Sequence, residues 1–228
     1  PAGDGPQAPP WPVQPATIAD RQRDRATPGW LPELRTNVGP QHVLIETADL
    51  WAYCRDRSPY AVFSARNSRV PATLPTAVAC PGSVTELSEV VRLSRRLRIP
   101  VIPFGAGPGV MGGTLPVAHE LVIDLKRLNG LIELNETDGT ATVQGGMNGG
   151  QFEAALNARG FTSGHLPQSL HMSTVGGWAA CRSAGQSSTR YGKIEDMVLG
   201  LEVVLPDGQL FRIRPAARRA VGPGLQDL

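Results

Sequence analysis

The sequence predicts an α+β protein with a mostly irregular N-terminal arm, and three observations support this fold class. Residues 77–104 have the pattern of a strand, a helix and a second strand. Two turn signals, Asp138-Gly139 and Pro206-Asp207-Gly208, each separate short apolar runs and predict hairpins. Two glycine-rich stretches interrupt this pattern. A helix that connects two strands favours parallel pairing, whereas hairpins are antiparallel. The sequence therefore predicts two α+β lobes, at about residues 77–137 and 138–228.

The first 76 residues are predicted to carry little regular structure. Residues 1–40 are rich in proline, glutamine, alanine and arginine, which predicts an extended or partly disordered arm. Residues 41–76 are predicted to form a helical and irregular segment, with one short helix near residues 47–55.

The first predicted lobe begins with a buried strand at residues 77–80. Pro81-Gly82 ends this strand, and Ser83 and Glu86 have the spacing of a capping box at a helix start. The helix is predicted to bury an apolar stripe made of Val84, Leu87, Val90, Val91 and Leu97. Its arginine-rich end suits a solvated helix terminus better than a nucleic-acid contact. Strands follow at residues 99–104 and 121–125.

The second predicted lobe contains two hairpins and one clear helix. Strands at residues 131–134 and 140–144 form the first hairpin, and residues 197–205 and 209–213 form the second. Residues 151–159 are predicted to be helical, with Gly160 at the C-terminal cap. A shorter helix is predicted over residues 178–184.

Composition excludes several functional classes. The chain has 228 residues, of which 41% are hydrophobic and 18% charged, as is usual for a soluble globular protein. A net charge of +2 and dispersed basic residues argue against nucleic-acid binding. No apolar run approaches the roughly 20 residues that a membrane span needs. Composition sets no limit on self-association, so homo-oligomers stay open.

The cysteines and histidines predict neither a disulfide framework nor a metal site. The cysteines, Cys54, Cys80 and Cys181, are odd in number and far apart, which favours a reducing, cytoplasmic location. Each could be a reactive nucleophile, but a buried inert thiol is the more ordinary interpretation. The four histidines lack metal-ligand spacing.

The first glycine loop, residues 103–113, reads PFGAGPGVMGG and contains the pattern G-x-G-x-x-G. We reject a Rossmann site, because that motif must open a helix and have an acidic residue about 20 positions later. Here Pro108 lies inside the motif, and another strand begins at Leu121. Consecutive backbone N–H groups of such a loop can still bind phosphate oxygens.

The second glycine loop, residues 168–184, reads QSLHMSTVGGWAACRSA. Ser173-Thr174 supplies hydroxyl groups before Gly176-Gly177, so a helix start with free N–H groups is predicted, which favours an anion. Glycine also allows close approach of the backbone to a ligand. The alternative is a glycine-rich turn that only lets two elements pack. Trp178 and Tyr191 could likewise serve only in the core.

Together, in this order and spacing, the two loops resemble the FAD-binding (PCMH-type) domain of the vanillyl-alcohol oxidase and p-cresol methylhydroxylase superfamily. That family has a P-x-G-G-G-T-S-x-x-G-G loop after a strand, matched by residues 103–113. It also has S-T-x-G-G followed by Y-G-x-x-x-D, matched by residues 173–177 and 191–196. The resemblance covers roughly residues 77–228 and implies FAD as the cofactor.

Within the superfamily, the sequence is most similar to the alkylglycerone-phosphate synthase group. That group tends to have a tryptophan after the paired glycines and Y-G-x-I-E-D, and this chain has GGW and YGKIED. This implies chemistry at flavin N5 on a small oxygenated substrate. The alternatives are an FAD-dependent D-2-hydroxy-acid dehydrogenase of the D-lactate or glycolate type, and a flavin-binding module without turnover. The dehydrogenases tend to have G-G-N and N-A-G-G, which do not match Trp178 and residues 182–185.

The resemblance implies a set of FAD-binding residues from both loops. Residues 103–109 would surround the pyrophosphate, residues 168–174 would follow the ribityl and isoalloxazine side, and residues 181–184 would add flavin contacts. The implied residues are Pro103, Phe104, Gly105, Ala106, Gly107, Pro108, Gly109, Gln168, Ser169, Leu170, His171, Met172, Ser173, Thr174, Gly176, Gly177, Cys181, Arg182, Ser183 and Ala184.

Three departures from the family pattern affect this expectation. Ala106 replaces a glycine, Gln168 replaces a frequent aspartate, and Pro108 replaces a threonine and so removes a hydroxyl and an N–H donor. Some members link FAD to a histidine in the first loop, which has none here, so noncovalent FAD is expected. In these families the general acids and bases lie in a C-terminal substrate domain. We expect that domain to be absent here, so no catalytic or metal-binding residue is assigned and the chain alone is expected to be inactive.

Overall fold

The computed structural model describes residues 27–66 and 73–215. Predictions for residues 1–26 and for the tail from residue 216 therefore lie outside the described residues. The described helices are α1 (Leu31–Val38), α2 (Thr47–Trp51), α3 (Pro59–Arg66), α4 (Val84–Leu97), α5 (Gly149–Asn157), α6 (Val175–Ala180), α7 (Ser188–Tyr191) and α8 (Ile194–Met197), with 3-10 turns at Pro40–His42 and Leu170–Met172. The strands are β1 (Val43–Leu44), β2 (Ala77–Ala79), β3 (Val101–Phe104), β4 (Leu121–Asp124), β5 (Leu131–Asn135), β6 (Thr140–Val143), β7 (Leu201–Val204) and β8 (Leu210–Ile213).

A four-stranded sheet of order β1-β2-β4-β3 forms the centre of the first lobe. β2, β4 and β3 are parallel, and β1 is antiparallel to β2. The parallel arrangement predicted for residues 77–104 is correct, but β4 lies between the two strands. β4 is buried at all four positions, as expected for a central parallel strand.

Helix α4 packs on this sheet and starts with a modified capping box. The Ser83 hydroxyl accepts a hydrogen bond from the Glu86 N–H at 3.1 Å, as predicted. The Glu86 carboxylate accepts from the N–H of Gly82 rather than from that of Ser83. The buried face includes Val90 and Leu93, whereas the predicted stripe residue Leu97 is 43% exposed at the helix end.

The prediction of an extended arm through residue 40 is wrong for residues 31–38, which form helix α1. Leu31, Leu34 and Val38 recur at helical spacing and are buried in the same cluster as Val90 of α4. The proline-rich composition argued against a helix here. Pro32 nevertheless lies in the first turn of α1, where proline is tolerated. The first lobe therefore includes chain that the sequence assigned to the arm.

The second lobe has its own core, formed around Met147, Phe152, Leu156, Trp178 and Ile194. Leu131 and Leu134 of strand β5 pack against this core. Strand β5, which was predicted to belong to the first lobe, therefore packs on the core of the second. β5 and β6 form an antiparallel hairpin, as predicted.

The second hairpin, β7–β8, is antiparallel but shorter than predicted. Residues 194–197 form α8 because the Asp196 carboxylate accepts from the Lys193 N–H at 2.8 Å and starts a helical turn there. The hairpin turn contacts α4 of the first lobe, where the Arg92 guanidinium donates to the Gly208 carbonyl at 3.2 Å. Across the described residues, no helix is long and apolar enough to cross a membrane.

Candidate FAD-binding site

The first glycine loop starts where β3 ends, as the sequence predicts for an anion-binding loop after a strand. Gly107 has a φ of +67°, a conformation that glycine adopts readily. The backbone N–H groups of Gly105, Ala106, Gly107 and Gly109 donate to no acceptor within the described part of the chain. Since backbone donors normally find partners, these groups are available for a ligand.

Residues that the sequence analysis missed hold this loop in place. The Asp56 carboxylate is buried, and it accepts hydrogen bonds from the N–H groups of Ser58 at 2.9 Å and Gly112 at 2.8 Å. The N–H of Arg57 donates to the Gly109 carbonyl at 2.8 Å. The segment before α3 was predicted to be irregular. Its aspartate two residues before a serine was the available signal, since that spacing is typical of a side-chain turn.

A polar cluster lies beneath the start of the loop. The Tyr53 hydroxyl donates to the Asp124 carboxylate at 2.7 Å, and Lys126 forms an ion pair with the same carboxylate. The Lys126 ammonium also donates to the Gly105 carbonyl at 3.2 Å and lies 4.9 Å from the centroid of the Phe104 ring. These contacts fix the position of the Gly105 backbone.

Burial and Asp124 suppress ionisation in this cluster. Burial, followed by the hydrogen bond to Asp124, raises the pKa of the Tyr53 phenol well above its usual range. Burial and then the Asp124 charge raise the pKa of the Cys80 thiol to about 11. Cys80 therefore stays protonated near neutral pH, as expected for an inert thiol.

The second glycine loop is held by buried hydroxyl groups. The Ser173 hydroxyl accepts from the Trp178 indole N–H at 2.7 Å and donates to the Ser169 carbonyl at 2.8 Å. The Thr174 hydroxyl caps α6 by accepting from the Gly177 N–H at 3.3 Å. Trp178, for which packing was one open alternative, is a core residue at 2% exposure.

The two loops meet at Gly105 and Thr174. A Cβ atom on Gly105 would lie 2.3 Å from the Thr174 hydroxyl oxygen. Gly176 approaches a third segment, where its N–H donates to the Gly145 carbonyl at 2.8 Å. A side chain at Gly105 or Gly176 would collide with the neighbouring segment. With glycine at both positions, the backbone of these residues stays accessible at the junction. A junction of unpaired N–H donors, without side-chain obstruction, suits the phosphate oxygens of FAD.

The end of the second loop makes a different set of contacts. Ser183 lies within 2.8 Å of Nε2 of the buried His165, whose ring packs edge-on against Trp178. Burial lowers the pKa of His165. Arg182 pairs with Glu195 at 3.1 Å. The N–H groups of Cys181, Arg182 and Ser183 donate to carbonyls of α6, and Ser183 also bonds to α8 and to His165.

The structure thus brings Gly105 of the first loop against Thr174 of the second, whereas Ser183 lies beside His165 in the core of the second lobe. His171 is exposed, and its carbonyl accepts from the Asn148 side chain at 3.0 Å. Asn148, which the sequence analysis also missed, caps α5 as well. The described residues contain no group of three or more His, Cys, Asp and Glu side chains that could hold a metal ion.

Comparison with known proteins agrees with this geometry. A family model described as an FAD binding domain matches residues 75–214, more than half of the chain. The uncharacterized FAD-linked oxidoreductase YgcU of Escherichia coli K12 is 34% identical over 197 residues, which cover 86% of this chain and 40% of YgcU. The alkyldihydroxyacetonephosphate synthase of Dictyostelium discoideum is 35% identical over 151 residues, 65% of this chain and 24% of the synthase.

A solved alkyldihydroxyacetonephosphate synthase structure has the same fold, with a TM-score of 0.81 and 27% identity. The match covers 89% of this chain and 37% of that structure. This chain therefore spans less than half the length of the relatives that it matches. The α+β, PCMH-type fold inferred from the two loops is confirmed. The chain belongs to the FAD binding domain family.

Proposed function

We propose that this chain binds FAD noncovalently at the junction of the two glycine loops. The carrying observation is the close approach of Gly105 to Thr174 beside four backbone N–H groups without a described acceptor. The first loop would bind the diphosphate through these groups, and residues 168–174 would follow the ribityl chain and the isoalloxazine. Residues 181–184 would add further flavin contacts, and His165 would hold Ser183 in position for them.

Noncovalent attachment rests on the residues of the first loop. In the superfamily that the two loops resemble, the histidine that links FAD lies in the first loop, and residues 103–113 contain no histidine. Acid precipitation tests this directly, because noncovalent flavin stays in the supernatant. Flavin that remains in the protein pellet would contradict the proposal.

For the reaction we propose alkylglycerone-phosphate synthase-like chemistry on a small oxygenated substrate, in a reducing, cytoplasmic compartment. Bound FAD would supply an electrophilic N5, and the described residues would bind it, orient it and exclude water from its diphosphate. Trp178 after the paired glycines and the YGKIED sequence favour this group over the D-2-hydroxy-acid dehydrogenases. The competing reaction is hydride transfer from a D-2-hydroxy acid, which would bleach the flavin under anaerobic conditions.

The cofactor proposal is tested by titrating the apoprotein with FAD and following flavin fluorescence. The informative variant is Gly107→Val, because Gly107 has positive φ and its Cβ would lie 2.9 Å from the Phe104 ring. Gly160→Val is the matched control, since Gly160 also has positive φ, nothing lies within 4 Å of its Cβ position, and it lies outside both loops. We expect Gly107→Val to weaken FAD binding strongly and Gly160→Val to bind FAD nearly as the parent does. Failure of the parent to bind FAD would refute the proposal.

The proposed partners are small molecules, with no nucleic acid, and self-association is open to test. The described part of the chain exposes several large apolar side chains, including Phe63, Met111 and Val117. Such exposure is compatible with homo-oligomers. Light scattering after size exclusion would measure the mass in solution, and a monomer at all concentrations would contradict self-association.

A further inference from the structure

We infer that Arg57 binds the diphosphate of FAD and supplies the positive charge that the glycine loops lack. This inference rests on the proposed function. Neither the family pattern quoted above nor the FAD-binding residues that it implies include Arg57.

Arg57 contacts both loops of the proposed site. Its backbone N–H donates to the Gly109 carbonyl of the first loop at 2.8 Å. One of its guanidinium nitrogens lies 3.9 Å from the sulfur of Met172 in the second loop. The side chain therefore extends from the first loop to the second, between the two segments that are proposed to bind FAD.

The backbone of Arg57 is held by its neighbours, although its side chain is exposed. The preceding residue, Asp56, is buried and binds the N–H of Gly112 at 2.8 Å. These bonds fix the start of the arginine side chain relative to the first loop. A side chain that starts from a fixed backbone loses less entropy when it binds a ligand.

Within the described part of the chain, the Arg57 guanidinium forms no ion pair with a carboxylate, so no carboxylate neutralises its positive charge there. Lys126, the cation at the other end of the loop, is already paired with Asp124. A guanidinium bonded only weakly to a sulfur atom can exchange that contact for phosphate oxygens at little cost, and its planar donors suit phosphate. Pro108 has no backbone N–H, so the first loop offers one hydrogen-bond donor fewer to a phosphate group.

The experiment measures the FAD dissociation constant of the whole chain by fluorescence quenching for the parent, Arg57→Gln, Arg57→Lys and Arg159→Gln. Arg159 is an exposed arginine after α5 that pairs with Glu136, so it controls for the change in net charge. Titrations are run at about 0.01 M and about 0.1 M ionic strength, where the Debye length is about 30 Å and about 10 Å. Melting curves verify that each variant folds.

We expect Arg57→Gln to raise the FAD dissociation constant about fivefold to tenfold at the lower ionic strength. Its dissociation constant should also increase less with salt than that of the parent. Arg57→Lys should keep the salt dependence, and Arg159→Gln should behave as the parent. A purely structural role would weaken binding without changing the salt dependence.

Two results would overturn the assignment while leaving the proposed function intact, and in both the parent binds FAD. In one, Arg57→Gln binds FAD as tightly as the parent. If this variant has then lost binding of dihydroxyacetone phosphate, followed through the fluorescence of the bound flavin, the guanidinium is assigned to a substrate phosphate. In the other, Arg57→Gln binds FAD more weakly but with the salt dependence of the parent. A parent that binds no FAD would overturn both the proposed function and this inference.

Discussion

Replacement of Gly176 by alanine tests whether the second glycine loop needs glycine for a close backbone approach. A Cβ on Gly176 would lie 2.7 Å from the Gly145 carbonyl oxygen and 2.9 Å from its Cα atom. These are backbone atoms, so no side-chain rotation relieves the contact. An ordinary contact is 3.4–4 Å, so the two segments must separate by about 0.7 Å.

The expected loss of stability follows from these distances. Separation weakens the 2.8 Å hydrogen bond between the Gly176 N–H and the Gly145 carbonyl, worth about 1 kcal/mol. Overpacking adds about 1–3 kcal/mol, and alanine returns up to about 1 kcal/mol through its greater helix propensity. We expect the variant to lose about 2 kcal/mol, or about 4–8 °C in Tm for a chain of this size.

Gly145→Ala is the matched control, because its Cβ would lie 3.5 Å from the Gly176 Cα, an ordinary contact. Thermal melts followed by circular dichroism and FAD titration are run on both variants. We expect only Gly176→Ala to lower Tm clearly and to weaken FAD binding, since Thr174 lies two residues away. Equal Tm and equal FAD affinity in the two variants would refute the argument from close approach.

Three further predictions use the same assays. Pro108→Thr should tighten FAD binding about fivefold by restoring one N–H donor. Unchanged or weaker binding in the FAD titration would show that this N–H does not face the ligand. Asp56→Asn should cost about 1–3 kcal/mol of stability, because the two backbone N–H groups bond different carboxylate oxygens and an amide has only one oxygen to accept them. The exposed Glu133→Gln is the control, and an equal Tm for the two variants would contradict the role of Asp56. Burial lowers the pKa of His165 in the folded chain, so its contribution to stability is present above the unfolded pKa of about 6.5 and is lost as the pH falls below it. His165→Gln should therefore reduce the fall in Tm between about pH 7.5 and pH 5.5, and identical pH profiles for this variant and the parent would contradict this.

The sequence by itself determined the main elements of the fold, because their signals are local. The Ser83 cap, the turn at Asp138-Gly139 and the apolar run of β4 depend on residues within a few positions of one another. Helix α1 was missed because proline-rich composition argued for disorder, while its stripe is stabilised by burial against α4. Likewise, β5 joined the second lobe through packing that its sequence does not encode.

The glycine loops and their ligand class were also available from sequence, since glycine spacing and hydroxyl caps are chemical signals in themselves. Tertiary structure alone decided which parts of the loops meet and what holds them. Gly105 contacts Thr174 although the two are far apart in the chain, and Asp56 and Arg57 reach the first loop from a segment without a glycine or phosphate signature. Such contacts depend on how separate elements pack, and packing brings together residues that no local pattern relates.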